Sequence, residues 1–258
     1  MAINKTPAII LHSRKQGETS KILTMLTEQY GKQEVIAKGS RSVKSRFSGL
    51  LEPFNHIDIV FYRNENRSFQ YLSQADLVEQ FPVLHEQLGK LALAAIPCEI
   101  INRSEKDGHK NPQLFHLLLE TLQALEDRDS GLKNIIRCFH LHFLEISGLE
   151  PDLAGCSHCG HNGADRKYIF TLDSGVYCCQ ECGQFTEYSV KMSGQTLECL
   201  RWLRQVDMKT AAGIKIPAGI GKELDSLLIT YMRLHVEGLM VLRSLEYLEQ
   251  LQSKLNNK

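Results

Sequence analysis

Apolar and polar positions change rhythm twice along this chain. Through roughly the first eighty residues the apolar positions come in short runs separated by turn residues. Ala8 to Ser13 is the first run, followed by Gly17. Lys21 to Thr27 is the second, closed by Tyr30-Gly31, and Gln33 to Ala37 is the third. After a loop from Gly39 to Gly49, Ile57, Ile59 and Phe61 alternate with Asp58, Val60 and Tyr62, the two-residue period of a strand with one face more buried than the other. Asn64-Glu65-Asn66 is polar enough to turn the chain, and Phe69 to Leu72 begins a fifth strand. Five short strands with no crossover helix between them predict a small barrel of the OB type rather than an α/β unit.

From Pro82 the period becomes helical. Leu84, Leu88, Leu91 and Ala95 recur at three- and four-residue steps, and Pro97 is expected to kink or end that helix. Asn111-Pro112 reads as a helix start, with Leu114, Leu117, Leu118, Leu122 and Leu125 as its apolar stripe. A third helix is expected from about Leu132 to Ile146, stopped by Gly148 with Pro151 beyond. Thr196 to Val206 predicts a short helix, and the leucines from Leu224 to Leu248 predict one long closing helix or a broken pair. The expected fold class is α+β: an N-terminal OB-type β-barrel, then an all-α body carrying an inserted four-cysteine zinc knuckle pair. The boundaries read as 1–80 for the barrel, 81–152 for the first part of the helical domain, 153–190 for the insertion and 191–258 for the second part.

The insertion carries the clearest chemistry. Cys156 and Cys159 form one C-x2-C pair and Cys179 and Cys182 another, with nineteen residues between the pairs. Two residues between cysteines let a tight knuckle aim both sulfurs at one point, and this separation suits a single four-cysteine site. Gly160 and Gly183 each follow a pair, where the knuckle must turn back, and Tyr168-Ile169-Phe170 with Gly175 look like the hairpin that brings the pairs together. Four thiolates around one Zn²⁺ leave no open position for water, so the expected role is structural. Cys178 abuts Cys179, but its C-x2 partner would be Glu181; His158 and His161 flank the first knuckle as substitutes. A zinc deaminase would need H-x-E ahead of P-C-x-x-C, and the only His-Val-Glu, His235 to Glu237, follows both pairs.

Composition narrows the setting. No apolar run approaches the roughly 20 residues that span a bilayer, and Met1 to Lys15 lacks a signal-peptide core, so a cytoplasmic protein with no membrane partner is expected. In a reducing compartment the eight cysteines are read as metal ligands plus buried thiols, with Cys98, Cys138 and Cys199 as small core hydrophobes. The net charge is zero, but residues 1–50 hold nine Lys/Arg against three acids, a surplus of +6 balanced by −6 in the remainder. That asymmetry suggests a polyanion-binding head. The segment Lys38-Gly39-Ser40-Arg41-Ser42-Val43-Lys44-Ser45-Arg46 fits either a loop moulded along phosphates or a solvated surface loop. OB barrels bind single strands through a basic groove with aromatic platforms, for which Phe47, Phe61, Tyr62, Phe69 and Tyr71 are candidates, several of them necessarily core.

These residues resemble a known family. Leu11-His12-Ser13-Arg14, Gly17-Glu18-Thr19-Ser20, Tyr30-Gly31-Lys32, Ala37-Lys38-Gly39-Ser40-Arg41 and Leu50-Leu51-Glu52-Pro53-Phe54 are similar, in order and spacing, to the N-terminal barrel of the bacterial RecO family. Asn111-Pro112 with Leu114-Phe115, the run from Gly148 through Pro151-Asp152-Leu153 into Cys156, Tyr231 to His235, and Ser244-Leu245-Glu246-Tyr247-Leu248 resemble its helical body. The resemblance implies a non-catalytic recombination mediator in DNA repair, cytoplasmic and nucleoid-associated. Such a protein binds single- and double-stranded DNA and anneals complementary strands. It joins RecR, engages the C-terminal tail of single-stranded DNA-binding protein and helps RecA replace that protein. The DNA face it implies comprises Arg14, Lys15, Lys21, Lys38, Arg41, Lys44 and Arg46. Arg103, Lys133 and Arg137 are the basic residues in the region expected to receive the acidic tail. Two other classes compete. A nucleic-acid enzyme would need clustered carboxylates, a Walker loop or H-E-x-x-H, none of which the sequence contains. A zinc-ribbon RNA-binding or transcription-associated module would share the metal site and basic head without needing the helical body.

Overall fold

The computed structural model describes residues 2–63 and 69–256, so the turn expected at Asn64-Glu65-Asn66 lies outside the described residues. Five strands close into a barrel: β1 (Ala2–Gln16), β2 (Ser20–Thr27), β3 (Gly31–Ala37), β4 (His56–Arg63) and β5 (Gln70–Glu79), in the order β1-β2-β3-β5-β4. All neighbours are antiparallel except β3 and β5, which meet in parallel over Val35↔Gln70 and Ile36↔Tyr71. This is the OB topology the run of strands predicts. β3 and β4 alternate buried and half-buried positions, one face in the barrel and one outside. Ala8 to Leu11 in β1 and Ile22 to Thr27 in β2 are instead buried at every position. Strands buried on both faces read as continuous apolar runs. The second layer is supplied by helices that pack on β1 and β2.

Two compact units make up the chain, one formed by residues 1–127 with 242–258 and the other by 128–241. Beside the barrel, the first unit holds α1 (Pro82–Glu86), α2 (Leu88–Ser104), α3 (Pro112–Asp127) and α8 (Arg243–Asn256). Asn111 caps α3 as expected, its Oδ1 accepting from the Leu114 N–H at 3.1 Å. Pro97 does not end its helix: α2 continues to Ser104. A buried proline removes one backbone hydrogen bond, but Ile96, Pro97, Cys98, Ile100 and Ile101 are all buried around it, and apolar burial of that extent outweighs the loss. The expected stripe is also off, since Leu88 is 59% exposed while Ala92, Leu93 and Ala94 are buried. A helix surrounded by partners has no apolar stripe to read.

Glu99 of α2 ties down the start of α8. Its carboxylate accepts from the Arg243 and Ser244 N–H groups at 3.1 and 2.8 Å and from the Ser244 hydroxyl at 2.7 Å, and Arg103 donates to it from one turn on. A carboxylate at a helix N-terminus satisfies orphan donors and the helix dipole together.

The second unit contains α4 (Leu132–Ile146), the hairpin β6 (Lys167–Thr171) and β7 (Val176–Cys179), β8 (Ser189–Ser193), α5 (Gly194–Gln205), α6 (Met208–Gly213) and α7 (Ala218–His235). The leucines of the closing region thus belong to a broken pair, α7 and α8. Neither β8 nor α6 is legible in the sequence pattern, both being too short for a period to repeat. Cys98 and Cys138 are buried as expected, whereas Cys199 is only partly so. Arg137 is 6% exposed in the core, donating to Asp225 Oδ1 and Oδ2 at 2.7 and 2.9 Å, to Asn134 Oδ1 at 2.6 Å and to the Gly221 carbonyl at 3.0 Å. Among the described residues no helix is long and apolar enough to cross a membrane.

His140 on α4 is 4% exposed, and its Nε2 has no hydrogen-bond partner among the described residues. Burial, opposed by the field of Asp225 and aided by that of Arg137, pulls its pKa down to about 4 from 6.5. Between those values the unfolded chain binds a proton that the folded chain refuses, so stability falls as pH drops from about 6.5 towards 4 and levels off below. The full loss is about 3 kcal/mol. His140→Phe should flatten that part of the pH dependence in thermal melts; parallel curves for variant and wild type between pH 7 and 4 would refute it.

Candidate functional site

The hairpin β6–β7 delivers the second cysteine pair to the first, through antiparallel pairing of Tyr168 with Cys179 and Phe170 with Tyr177. The sulfurs of Cys156, Cys159, Cys179 and Cys182 all lie within 4.8 Å of one another. Each knuckle is a tight turn: Gly160 N–H donates to the Cys156 carbonyl at 2.8 Å, and the Cys182 and Gly183 N–H groups donate to the Cys179 carbonyl at 3.0 and 3.1 Å. The two glycines serve different ends. Gly160 turns the chain with φ +72, a conformation L side chains avoid, whereas Gly183 makes room, since a Cβ there would sit 2.2 Å from the Cys178 sulfur. Cys178 is buried, and its sulfur is not among the four that converge. His158 faces the Ser157 hydroxyl and His161 the Asp165 carboxylate, so neither joins the cluster.

The donor set fits a tetrahedral, thiolate-binding dication. Sulfurs about 2.3 Å from a central Zn²⁺ stand about 3.8 Å apart, and the Cys159 and Cys179 sulfurs are 3.7 Å apart, far beyond a disulfide bond. Two groups beside the sulfurs favour negative charge. The Cys179 N–H donates to the Cys156 sulfur at 3.2 Å, and Arg166 reaches the Cys179 sulfur at 3.8 Å. Burial pushes the Cys156 thiol up, but N–H groups of Cys159, Cys179 and His158 together bring it down to about 6. Cys179 and Cys182 are pushed up, the first mainly by burial and the second mainly by its hydrogen bond with Cys159. A dication at the centre would let all four ionise at once.

Arg201 of α5 fastens this knuckle to the helices. It donates to the carbonyls of Leu153, Asn162 and Ala154 at 2.7, 2.6 and 3.1 Å and to the Tyr177 hydroxyl at 2.7 Å. No spacing in the sequence marks this residue, because three of its four partners are backbone carbonyls distant in the chain.

The basic residues of the barrel converge from three strand ends and one loop. Lys15 and Lys21 face each other across β1–β2, Arg14 precedes them, Lys21 also pairs with Ala37, and Lys38 follows Ala37. The loop after β3 is bound to the β1–β2 turn. Arg41 donates through its backbone N–H to the Thr19 carbonyl at 2.8 Å and through its guanidinium to the Gly17 carbonyl at 3.0 Å. Among the described residues, two of the seven cations have carboxylate partners. Lys21, largely covered, lies 2.9 Å from Glu52, and Arg14 lies 3.7 Å from Glu34. Lys15, Lys38, Arg41, Lys44 and Arg46 are exposed with no ion pair among the described residues. Aromatic rings are interleaved with them: Arg14 lies 5.7 Å from the Phe69 ring, Lys38 4.6 Å from Tyr71 and Arg46 4.9 Å from Phe47. Of the candidate platforms, Phe47 and Phe61 are core, while Tyr62, Phe69 and Tyr71 are half-buried at the surface.

Elsewhere, Arg137 is no receiver for an acidic tail, because it is buried and its donors are already engaged within the core. Arg103 pairs with Glu99 and stays partly exposed, and Lys133 is exposed.

An OB barrel with a basic, aromatic-lined end, followed by helices that enclose a four-cysteine knuckle pair, defines a class of modular α+β proteins. Comparison with known families identifies the particular one. Residues 1–81 match the model described as "Recombination protein O N terminal" and residues 85–246 the one described as "Recombination protein O C terminal". Relatives named "DNA repair protein RecO" include those of Desulforamulus reducens, 32% identical over 97% of this chain and 96% of its own length, and Alkaliphilus metalliredigens, 30% identical over 90% and 94%. That of Bacillus pumilus is 28% identical over 96% of this chain and 94% of its own. The chain belongs to the RecO family.

Disrupting the four-cysteine cluster should be local in effect. Cys156→Ser, or chelation, is expected to abolish metal binding measured at one ion per chain and to strip hydrogen-exchange protection from residues 153–193, with little change in β1–β5. Metal-free protein retaining full protection across that segment would contradict a structural site whose binding energy is on the order of 10 kcal/mol.

Proposed function

We propose that this protein acts in DNA repair as a non-catalytic recombination mediator. It binds single- and double-stranded DNA along the barrel end built from Arg14, Lys15, Lys21, Lys38, Arg41, Lys44 and Arg46, and anneals complementary strands. With RecR, and by engaging the C-terminal tail of single-stranded DNA-binding protein, it helps RecA replace that protein on DNA. Its setting is the cytoplasm, in association with the nucleoid. One structural Zn²⁺, held by Cys156, Cys159, Cys179 and Cys182, stiffens the second unit without entering any reaction.

The observation that carries this reading is the bond between Arg41 and the β1–β2 turn, which supports a single ridge rather than scattered cations. Two strands that must pair repel each other through their phosphates. A concentrated positive ridge screens both and lowers the encounter barrier with no bond made or broken. Lys21 and Arg14, already partnered, contribute less to such a ridge than the five with no ion pair among the described residues.

Reversal of Arg41, Lys44 and Arg46 together to Glu should weaken DNA binding for every sequence and lower the single-strand salt slope by roughly 2. Because Arg41 also holds the loop, the Lys44→Glu/Arg46→Glu pair serves as a control without loss of that tie. Unchanged affinity and slope in both variants would remove the assigned face. For the partner, complementary strands coated with single-stranded DNA-binding protein should anneal with this protein present, and much more slowly when the coat lacks its acidic tail. Equal rates with and without the tail would exclude that engagement.

A further inference from the structure

The loop that carries the exposed cations is not a flexible tether. From Gly39 onward it is a succession of tight turns. Ser42 N–H donates to the Gly39 carbonyl at 3.2 Å, with its hydroxyl on the same oxygen at 2.8 Å; Ser45 N–H then donates to Ser42 and Ser48 N–H to Ser45, at 3.0 and 3.3 Å. Arg41 fastens the near side to Gly17 and Thr19. Phe47 and Leu51, 4% and 2% exposed, sink the far side into the barrel core. The loop is a prong built from both ends.

At the apex of this prong stands Val43, 102% exposed, between Arg41 and Lys44. Isolated apolar side chains occur on most protein surfaces. Val43 differs in its position, fully exposed in the middle of the cations proposed to meet phosphate. A surface that bound phosphates alone would have no use for an isopropyl group there, since phosphate contacts come from cations, hydroxyls and N–H groups. Apolar surface on a nucleic acid lies in its bases and sugars, and unpaired strands expose far more of it than a duplex.

We propose that Val43 is a wedge that packs against the bases of an unpaired strand while Arg41, Lys44 and Arg46 hold the flanking phosphates. This deepens the reading of the barrel end as a DNA face and rests on it. The prong then distinguishes single strands from duplex: the cations bind either, and the apex gains contact only where bases are splayed. For annealing the consequence is useful. The apolar contact is surrendered as the bases pair, so the product is held less tightly than the substrate.

The test compares Val43→Thr with wild type. Threonine keeps the shape, adds a hydroxyl, and at a fully exposed position leaves the melting temperature unchanged. Binding is measured by anisotropy, across a salt series, for a single strand, the same strand made abasic, and a duplex. The variant should bind the normal single strand about fivefold more weakly, with the same salt slope and with no change on the abasic strand or the duplex. Val43→Leu should restore single-strand affinity. Equal single-strand affinity for Val43→Thr and wild type would overturn the wedge, as would an equal loss on the abasic strand. The charge reversal of Arg41, Lys44 and Arg46 separates the two ideas. If reversal weakens DNA binding and Val43→Thr does not, the wedge alone fails. If reversal changes nothing, the DNA face itself fails.

Discussion

Holding like charges together is unfavourable unless something else fixes their positions, and the barrel end is organised around that constraint. Seven cations come from three strand ends and a loop, and Coulomb repulsion alone would splay them. Backbone geometry prevents it. The register of β1, β2 and β3 places Lys15, Lys21 and Ala37 across from one another, and Arg41 bonds to carbonyls of the neighbouring turn. Two carboxylates and three aromatic rings take up part of the field. A carbonyl neutralises no charge, so the bonds that tie Arg41 to the turn leave its guanidinium charged and exposed.

The second unit meets the opposite electrostatic problem. Four thiols within 4.8 Å of one another would repel as thiolates, and a dication is the natural remedy. The knuckle so formed is too small to bury a core of its own, and it is fastened by Arg201 through three carbonyls and a phenol. Further ties run to α7, whose His235 lies 2.6 Å from the Leu172 carbonyl of the hairpin and whose Tyr231 hydroxyl donates to the Leu149 carbonyl just after α4. A bound metal and the arginine would divide the work: the metal would hold the sulfurs together, while the arginine holds the knuckle in place.

Chain order and spatial order part company at the C-terminus. After passing through the second unit the chain returns to the first, where α8 packs on α2. Glu99 marks the point of return by capping α8 from inside α2. Such a return makes the first unit depend on the last segment of the fold, since one side of α2 stays uncovered until α8 packs on it.

Local rules made much of this molecule legible. Alternation along β4, the glycines closing the first two hairpins, the Asn111 cap and the doubled C-x2-C spacing each express a constraint satisfied within a few residues, so they can be read from neighbours alone. What eluded such reading depends on partners distant in the chain. Pro97 sits inside a helix because surrounding side chains bury it, and Arg137 is a core residue because Asp225 and Gly221 lie opposite. Cys179 rather than Cys178 joins the cluster because the strand presents its sulfur on that side. Whether the early lysines and arginines formed one ridge or several scattered charges was likewise undecided by their order. Strand register and the Arg41 guanidinium bring strand ends and loop to one end of the barrel, and such proximity depends on distance through space rather than separation along the chain.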